Sequence, residues 1–402
     1  MPRRLTLLSD TCFAELDNLE FSLWEGARRM RSARVTRITA VPVSVRRVAP
    51  FRSALGLSAG ASFGIVKVET SAGITGLGEI SMIWNGDGAA LCPVVENVLA
   101  PALIGLDALE INRAHQRMDA AVQFSRAANP AKSAIDMALY DIVGKVLGTP
   151  VYNLLGGRVR EGAPLSMSVA IGSLEEMVAQ AKAFVKQGFK GVKIKIGLDA
   201  EHDVEAVAAI RRALGRGITI RVDANMGWRS AREALSVIEQ IAPHDVHSVE
   251  QPLPADRLVD LAWLRRASPI PVMVDESVWG PDDAARVIAA GAADIINVYV
   301  SEAGGLRNAA RIFAMAESAG VQCTIGSMPE LGIGTAAAMH LAVSVPELMG
   351  PADVCGVLYD AETLIRETLP IQDGMAGAPE GPGLGVTLDE ERLVALTATK
   401  EK

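Results

Sequence analysis

The sequence is poor in the residues that carry redox, thiolate or histidine chemistry. Its four cysteines, Cys12, Cys92, Cys323 and Cys355, lie far apart and form no C-x-x-C pair. That excludes a disulfide framework and a thiolate metal site, and a reducing cytoplasm is the expected compartment. The five histidines fall away from the strand ends identified below, which excludes a histidine base there. No apolar run approaches the ~18 residues that would cross a membrane. The first residues do not follow the basic-then-apolar plan of a secretory leader. The net charge of -8 and pI of 5.3 argue against nucleic acid or an anionic membrane as partner.

What is present is a globular composition, 50% hydrophobic and 21% charged over 402 residues, enough for two domains. Residues 1–33 have no clear period, and Met30 stands just before the first strand-like pattern. They are expected to be a loose extension, or to lie upstream of a start at Met30. Residues 34–160 open with alternating strands, "VTRITAVPVSV" and "SFGIVKVETSAGITGLGEI", and continue as helices, an α+β unit. The last of these helices is expected to start at Asn129 as N-cap with Pro130 in its first turn. Over 161–358, short apolar strands alternate with Ala-rich helices. Eight such strands in succession predict a closed parallel barrel, with an open doubly wound sheet as the alternative. No Gly-rich phosphate turn follows the first strand, which counts against a dinucleotide fold. The Gly/Pro-rich segment 359–402 is expected to leave the barrel and return to the first domain.

In "GVKIKIG", Val192, Ile194 and Ile196 share one strand face, so Lys193 and Lys195 share the other. The next three strands end in acids: "TIRVDAN" at Asp223, "SVEQP" at Glu250 and "PVMVDES" at Asp275, 27 and 25 residues apart. One strand–helix unit takes about this length, so the acids come from neighbouring strands at the C-terminal mouth, where barrel enzymes work. Three converging carboxylates require a cation among them. Oxygen-only ligands suit a hard ion, Mg²⁺ first. The metal and the second lysine are expected to lower each lysine's pKa, making an amine base usable near neutral pH. Alone, K-x-K reads as a solvated strand face and each acid as a helix cap. The register of all four strand ends together carries the site.

With these residues on view, the chain resembles the enolase superfamily, in its mandelate racemase/muconate lactonizing subgroup. The matching pieces are "KIK", "DAN", "EQP", "DES", the "GG" of "SEAGGL" and the late "EGPGLGV". The resemblance spans Val35 to the C-terminus. It implies a modified TIM barrel, (β/α)7β, with an α+β capping domain. It also implies an essential Mg²⁺ on Asp223, Glu250 and Asp275. Lys195 is then the base that removes a proton next to a carboxylate, Lys193 helps stabilise the charge, and an enediolate forms.

The departures are as informative. Where the family carries a sixth-strand lysine, "INVYVS" places Tyr299. A phenol can donate a proton but is a poor partner for two-way exchange; a packed aromatic is the plainer alternative for it. Where dipeptide epimerases present a D-x-D pair for a substrate ammonium, "ADVCG" keeps Asp353 and puts Cys355 at the second place. "SMPELGIGT" resembles the corresponding stretch of cis-3-hydroxy-L-proline dehydratases. In it Glu330 meets a substrate amine, braces its neighbours or caps the next helix. The expected activity is a Mg²⁺-dependent lyase that dehydrates a small hydroxylated amino acid. An isomerase (cycloisomerase, racemase or epimerase) is the rival within enzymes, and a metal-bearing binding protein the rival outside them. Arg52 and Trp84, on loops over the mouth, and Asn225, Glu330 and Asp353 are the expected substrate contacts. The expected partner is a small carboxylate, and the expected assembly a homo-oligomer.

Overall fold

The computed structural model describes residues 32–82, 88–123 and 125–398. Residues 1–31 and Ile83–Asp87 are outside that range, so the start at Met30 and the role of Trp84 are not addressed by it.

The cap begins with a three-stranded antiparallel sheet of Val35–Ser53, Gly56–Thr70 and Thr75–Ile80. Its alternation is two-sided. Ile38, Ala40, Val66 and Val68 pack with the cap helices, whereas Val43, Val45, Phe63 and Ile65 join the core that fills the barrel domain. The sheet is therefore a shared wall between the domains. The first hairpin runs on past the sheet, pairing Phe51 with Ser58 and Ser53 with Gly56, and this tip reaches the barrel mouth.

The cap helix Asn129–Leu147 docks on the barrel. Asn129 does not cap it, contrary to the expectation from sequence, because its amide donates to the carbonyls of Trp279 and Glu302 on the barrel side. Ser133 donates to the Val300 carbonyl at 2.9 Å, and Asp136 accepts from the Leu306 amide at 2.6 Å. A Cβ on Gly305, at φ +120°, would lie 2.3 Å from the Asp136 carboxyl carbon. The "GG" turn thus exists so that the cap helix can come this close.

Seven parallel strands follow in order: Ser166–Val169, Gly191–Lys195, Thr219–Asp223, Val246–Glu250, Val272–Val274, Ile295–Val298 and Gln322–Ile325. The eighth stave is a short extended stretch. The Asp353 amide bonds the Ile325 carbonyl, and the Ala352 carbonyl accepts from Ser166, closing the ring between last and first strands. Side-chain caps start several intervening helices, with a full capping box at Ser173 and Glu176, Asp199 before Ala200–Leu214 and Ser230 before Ala231–Ile241. After the barrel, Met375–Ala376 pairs with Ala163–Pro164, and the terminal helix from Glu390 packs on the first cap strand, with Lys67 and Glu390 3.0 Å apart. The returning segment therefore ties the floor of the barrel as well as the cap. Among the described residues, no helix is long and apolar enough to cross a membrane.

Candidate active site

Register sets the height of every group in the mouth. Lys195 pairs with Asp223 and Asp223 with Glu250 across adjacent strands, while Lys193 pairs with Arg221 and Arg221 with Ser248 one layer below. Alternation then turns both lysines, both acids and Arg221 inward, away from the buried Val192, Ile194 and Val222. Asp275 follows the next strand directly.

Asp223, Glu250 and Asp275 each offer a carboxylate oxygen, all within 4.8 Å of one another, and all three residues are buried. Glu250 Oε2 and Asp275 Oδ1 have no hydrogen-bond partner. Uncompensated buried carboxylate oxygens are costly, so the set fits a hard divalent cation that binds oxygen, and Mg²⁺ satisfies that chemistry. Burial, with neighbouring carboxylates, pushes the Asp275 pKa well up and raises that of Glu250. Burial works the same way on Asp223, but the ammoniums of Lys195 and Lys193 outweigh it and bring its pKa below the ordinary value.

Lys195 donates to Asp223 Oδ2 at 2.5 Å and to Asn225 Oδ1 at 3.0 Å. Asn225 sits in a left-handed turn with φ +41°, and its own amide reaches Glu276 at 3.2 Å. It therefore holds the amine, besides lining the cavity. Lys193 is 2.7 Å from Asp353, 3.1 Å from Glu250 and 3.7 Å from Asp223. Burial opposes its charge, but these carboxylates prevail and hold its pKa well above that of a free lysine. The expected lowering has a bound metal as one cause; the carboxylate nest by itself acts on Lys193 in the opposite direction. Lys193 is a fixed cation, suited to stabilising charge rather than to taking protons.

Tyr299 is buried and donates to Asp275 Oδ2 at 2.8 Å, while Asn297 donates to its hydroxyl at 3.3 Å and to Glu250 at 3.0 Å. Its ring lies on Gly326, where a Cβ would come within 2.3 Å of Cζ. Burial and the facing carboxylates push its pKa well up, so it stays a phenol. Asp353 is tied on both sides: Oδ2 to Lys193, Oδ1 to Arg221 and Ser166.

A cavity of about 190 Å³ lies over these groups. Its upper wall is Phe51, Leu55, Leu57, Met328, Pro329 and Tyr359. Arg52 is not on it. That residue is exposed, while its neighbours Phe51 and Ser53 face the cavity, as strand alternation requires, and Arg47 is the arginine that lines it. Glu330 is off the lining too. It accepts from Ser327 Oγ at 2.5 Å and from the Met328 amide at 3.0 Å, bracing the loop that does line it. The helix after it is capped from the other domain, by Glu79, which accepts from the amides of Leu331 at 2.7 Å and Gly334 at 2.8 Å. Sequence reading missed Asn297 and Gln251. Asn297 stands two residues before Tyr299 and so shares its face. Gln251, within "EQP", accepts from the Asp275 amide at 2.8 Å and fixes the third ligand's turn.

Comparison with known proteins agrees with this geometry. Residues 35–156 match the N-terminal domain of the mandelate racemase / muconate lactonizing enzyme family, and residues 176–392 match the enolase C-terminal domain-like family. An N-succinyl-L-Arg/Lys racemase of Bacillus cereus is 32% identical over 84% of this chain and 90% of its own. The crystal structure of a muconate lactonizing enzyme from Pseudomonas fluorescens, complexed with muconolactone, superposes with a TM-score of 0.87 at 32% identity, covering 91% of this chain and 99% of that one. A dipeptide epimerase from Enterococcus faecalis, complexed with Mg and the dipeptide L-Leu-L-Tyr, gives a TM-score of 0.82 at 30% identity over 88% and 99%. The barrel, the cap, the lysine pair and the three carboxylates thus have one explanation: this chain is an enzyme of the enolase superfamily, in its mandelate racemase and muconate lactonizing branch.

Proposed function

We propose that the chain runs a one-base reaction at the carbon next to a substrate carboxylate. Lys195 takes the α-proton, the bond from the β-carbon to an oxygen breaks with its electron pair, and the α–β double bond forms. A departing hydroxide takes that proton and leaves as water, whereas a departing carboxylate stays ionised and Lys195 releases the proton to solvent, so the balance closes without a redox partner. If that oxygen stays in the molecule as a second carboxylate, the reaction is the reverse of a cycloisomerisation; if it leaves as water, it is a dehydration. The cycloisomerising version has the support of the lactonizing enzyme among the relatives, whereas the racemase and the epimerase carry out reactions that the sixth-strand place argues against here. The cycloisomerising version takes precedence over the dehydratase expected from sequence.

The observation that carries this is Tyr299. Racemisation and epimerisation need a proton-transfer group on each face of the α-carbon. Here the sixth-strand place holds a phenol committed to Asp275, so among the described residues one face alone has a base. Asp223, Glu250 and Asp275 would hold Mg²⁺, which when bound polarises the substrate carboxylate as a Lewis acid. Lys193, fixed by Asp353 and Glu250, adds positive charge where the carboxylate gathers electrons. Asn225 aims the Lys195 amine.

The test is incubation of lactone acids and β-hydroxy acids with the Mg²⁺-loaded enzyme in D₂O. The expected result is deuterium at the α-carbon with retained configuration, together with ring opening or closure, or loss of water. Recovered substrate scrambled at the α-carbon would show two-base chemistry and overturn the proposal.

A further inference from the structure

We infer that the substrate carries no ammonium: its nitrogen is acylated or absent, and its body is apolar. The inference rests on the proposed reaction, because the α-carbon must lie within reach of Lys195.

That constraint puts any α-ammonium beside two cations already lining the floor, Lys193 and Lys195. A compensating carboxylate would be required. Among the described residues that line the cavity, the carboxylates are Asp275 and Asp353 alone. Asp275 belongs to the metal set and already accepts from Tyr299. Asp353 faces the cavity with its charge already offset by two cations, Lys193 against Oδ2 and Arg221, alongside the Ser166 hydroxyl, against Oδ1. Two residues on, the Cys355 thiol is buried against the Ser166 carbonyl and the Met167 sulfur, so that stave supplies no second acid.

The upper wall gives the rest. Arg47 could suggest a distal anion, but its guanidinium is 2.7 Å from Asp360, with side chains 3% and 0% exposed. The guanidinium is thus already engaged by a buried carboxyl group. The other groups on that wall are the hydroxyls of Ser53, Ser58, Ser168, Ser327 and Tyr359 and the apolar side chains of the hairpin and the Met328–Pro329 loop, with no further charge among the described residues. Leu55 and Leu57 at the hairpin tip are 45% and 69% exposed. An apolar substrate body would cover them, and an ammonium would be buried there without a partner.

The test compares matched ligands that keep a β-oxygen: cis-3-hydroxy-L-proline with its N-acetyl derivative, and 3-phenylserine with N-acetyl-3-phenylserine. Each is titrated calorimetrically into the Mg²⁺-loaded enzyme. The N-acetyl members are expected to bind about tenfold tighter or better. Equal or tighter binding of the free amines, or binding of no member at all, would overturn the inference. Ser58→Asp, at the exposed hairpin, places a carboxylate on the wall and is expected to shift the preference back towards the amines; an unchanged preference would count against it. Turnover is read separately in D₂O. N-acetyl ligands that bind but never gain α-deuterium would defeat the proposed reaction and leave the inference standing.

Discussion

Lys193 and Lys195 are two residues apart on one strand and have different tasks because their neighbours differ. Lys193 is enclosed by Asp353, Glu250 and Asp223, whereas Lys195 meets one acid and an amide oxygen. Lys195→Ala should lower α-proton exchange about a thousandfold with the fold intact, checked by deuterium incorporation alongside circular dichroism. Tyr299 separates two roles in the same way. If its hydroxyl orients a metal ligand, Tyr299→Phe should weaken Mg²⁺ binding about tenfold, since the ring stays on Gly326 and only the bond to Asp275 is lost. Calorimetric titration of Mg²⁺ decides it; an unchanged affinity would make Tyr299 simple packing.

At the scale of elements, the joint between cap and barrel is polar and close-fitting. Asp136 on the cap helix binds His115 and the Leu306 amide, and it occupies the space a side chain at Gly305 would need. Gly305→Ala should therefore cost about 3 kcal/mol, from the positive φ and the displaced carboxylate together, read as a lower urea midpoint. A second joint lies inside the wholly buried helix Gly332–Ser344. His340 Nδ1 accepts from the Tyr152 amide at 3.3 Å and Nε2 donates to the Leu384 carbonyl at 3.1 Å, so the ring must be neutral. Burial lowers its pKa to about 4, below the unfolded value of 6.5. The unfolded chain then binds the proton more readily, so the stabilisation is complete above pH 6.5 and is lost as pH falls towards 4. The loss is about 3 kcal/mol. Glu79 and Asp360, raised mainly by burial to about 7, act with the opposite sign, favouring the fold as they take up protons. The difference between wild type and His340→Gln across that pH range isolates the histidine, and the variant is expected to show the smaller decline.

For the whole molecule, the metal is expected to be a folding ligand as well as a cofactor. Three buried carboxylates within 4.8 Å repel one another, and the two lysines beside them leave Glu250 Oε2 and Asp275 Oδ1 unpartnered. Mg²⁺ at about a hundred times its Kd should add about 2.7 kcal/mol, seen as a rise in Tm that EDTA reverses. A Tm insensitive to both would show that the carboxylates are satisfied without an ion.

Much of this molecule was legible in the order of its residues. Strand and helix periods, the lysine pair and the acids spaced one barrel unit apart are local or evenly repeated features, and repetition alone carries them to one end of a parallel barrel. What sequence could not decide is which neighbours each charge meets. Arg52 and Arg47 look alike in the chain, yet hairpin pairing turns one outward while the other pairs with Asp360, 313 residues on. Glu330 stands before a helix that Glu79 caps instead, from the other domain. Lys193 was expected to be weakened by the metal and by Lys195, and closure of the barrel brings round Asp353, which acts against that. Spacing along the chain fixes which face a side chain takes, because that depends on backbone geometry alone. Charge state and partner depend on distances between staves remote in sequence, and only the closed barrel sets those.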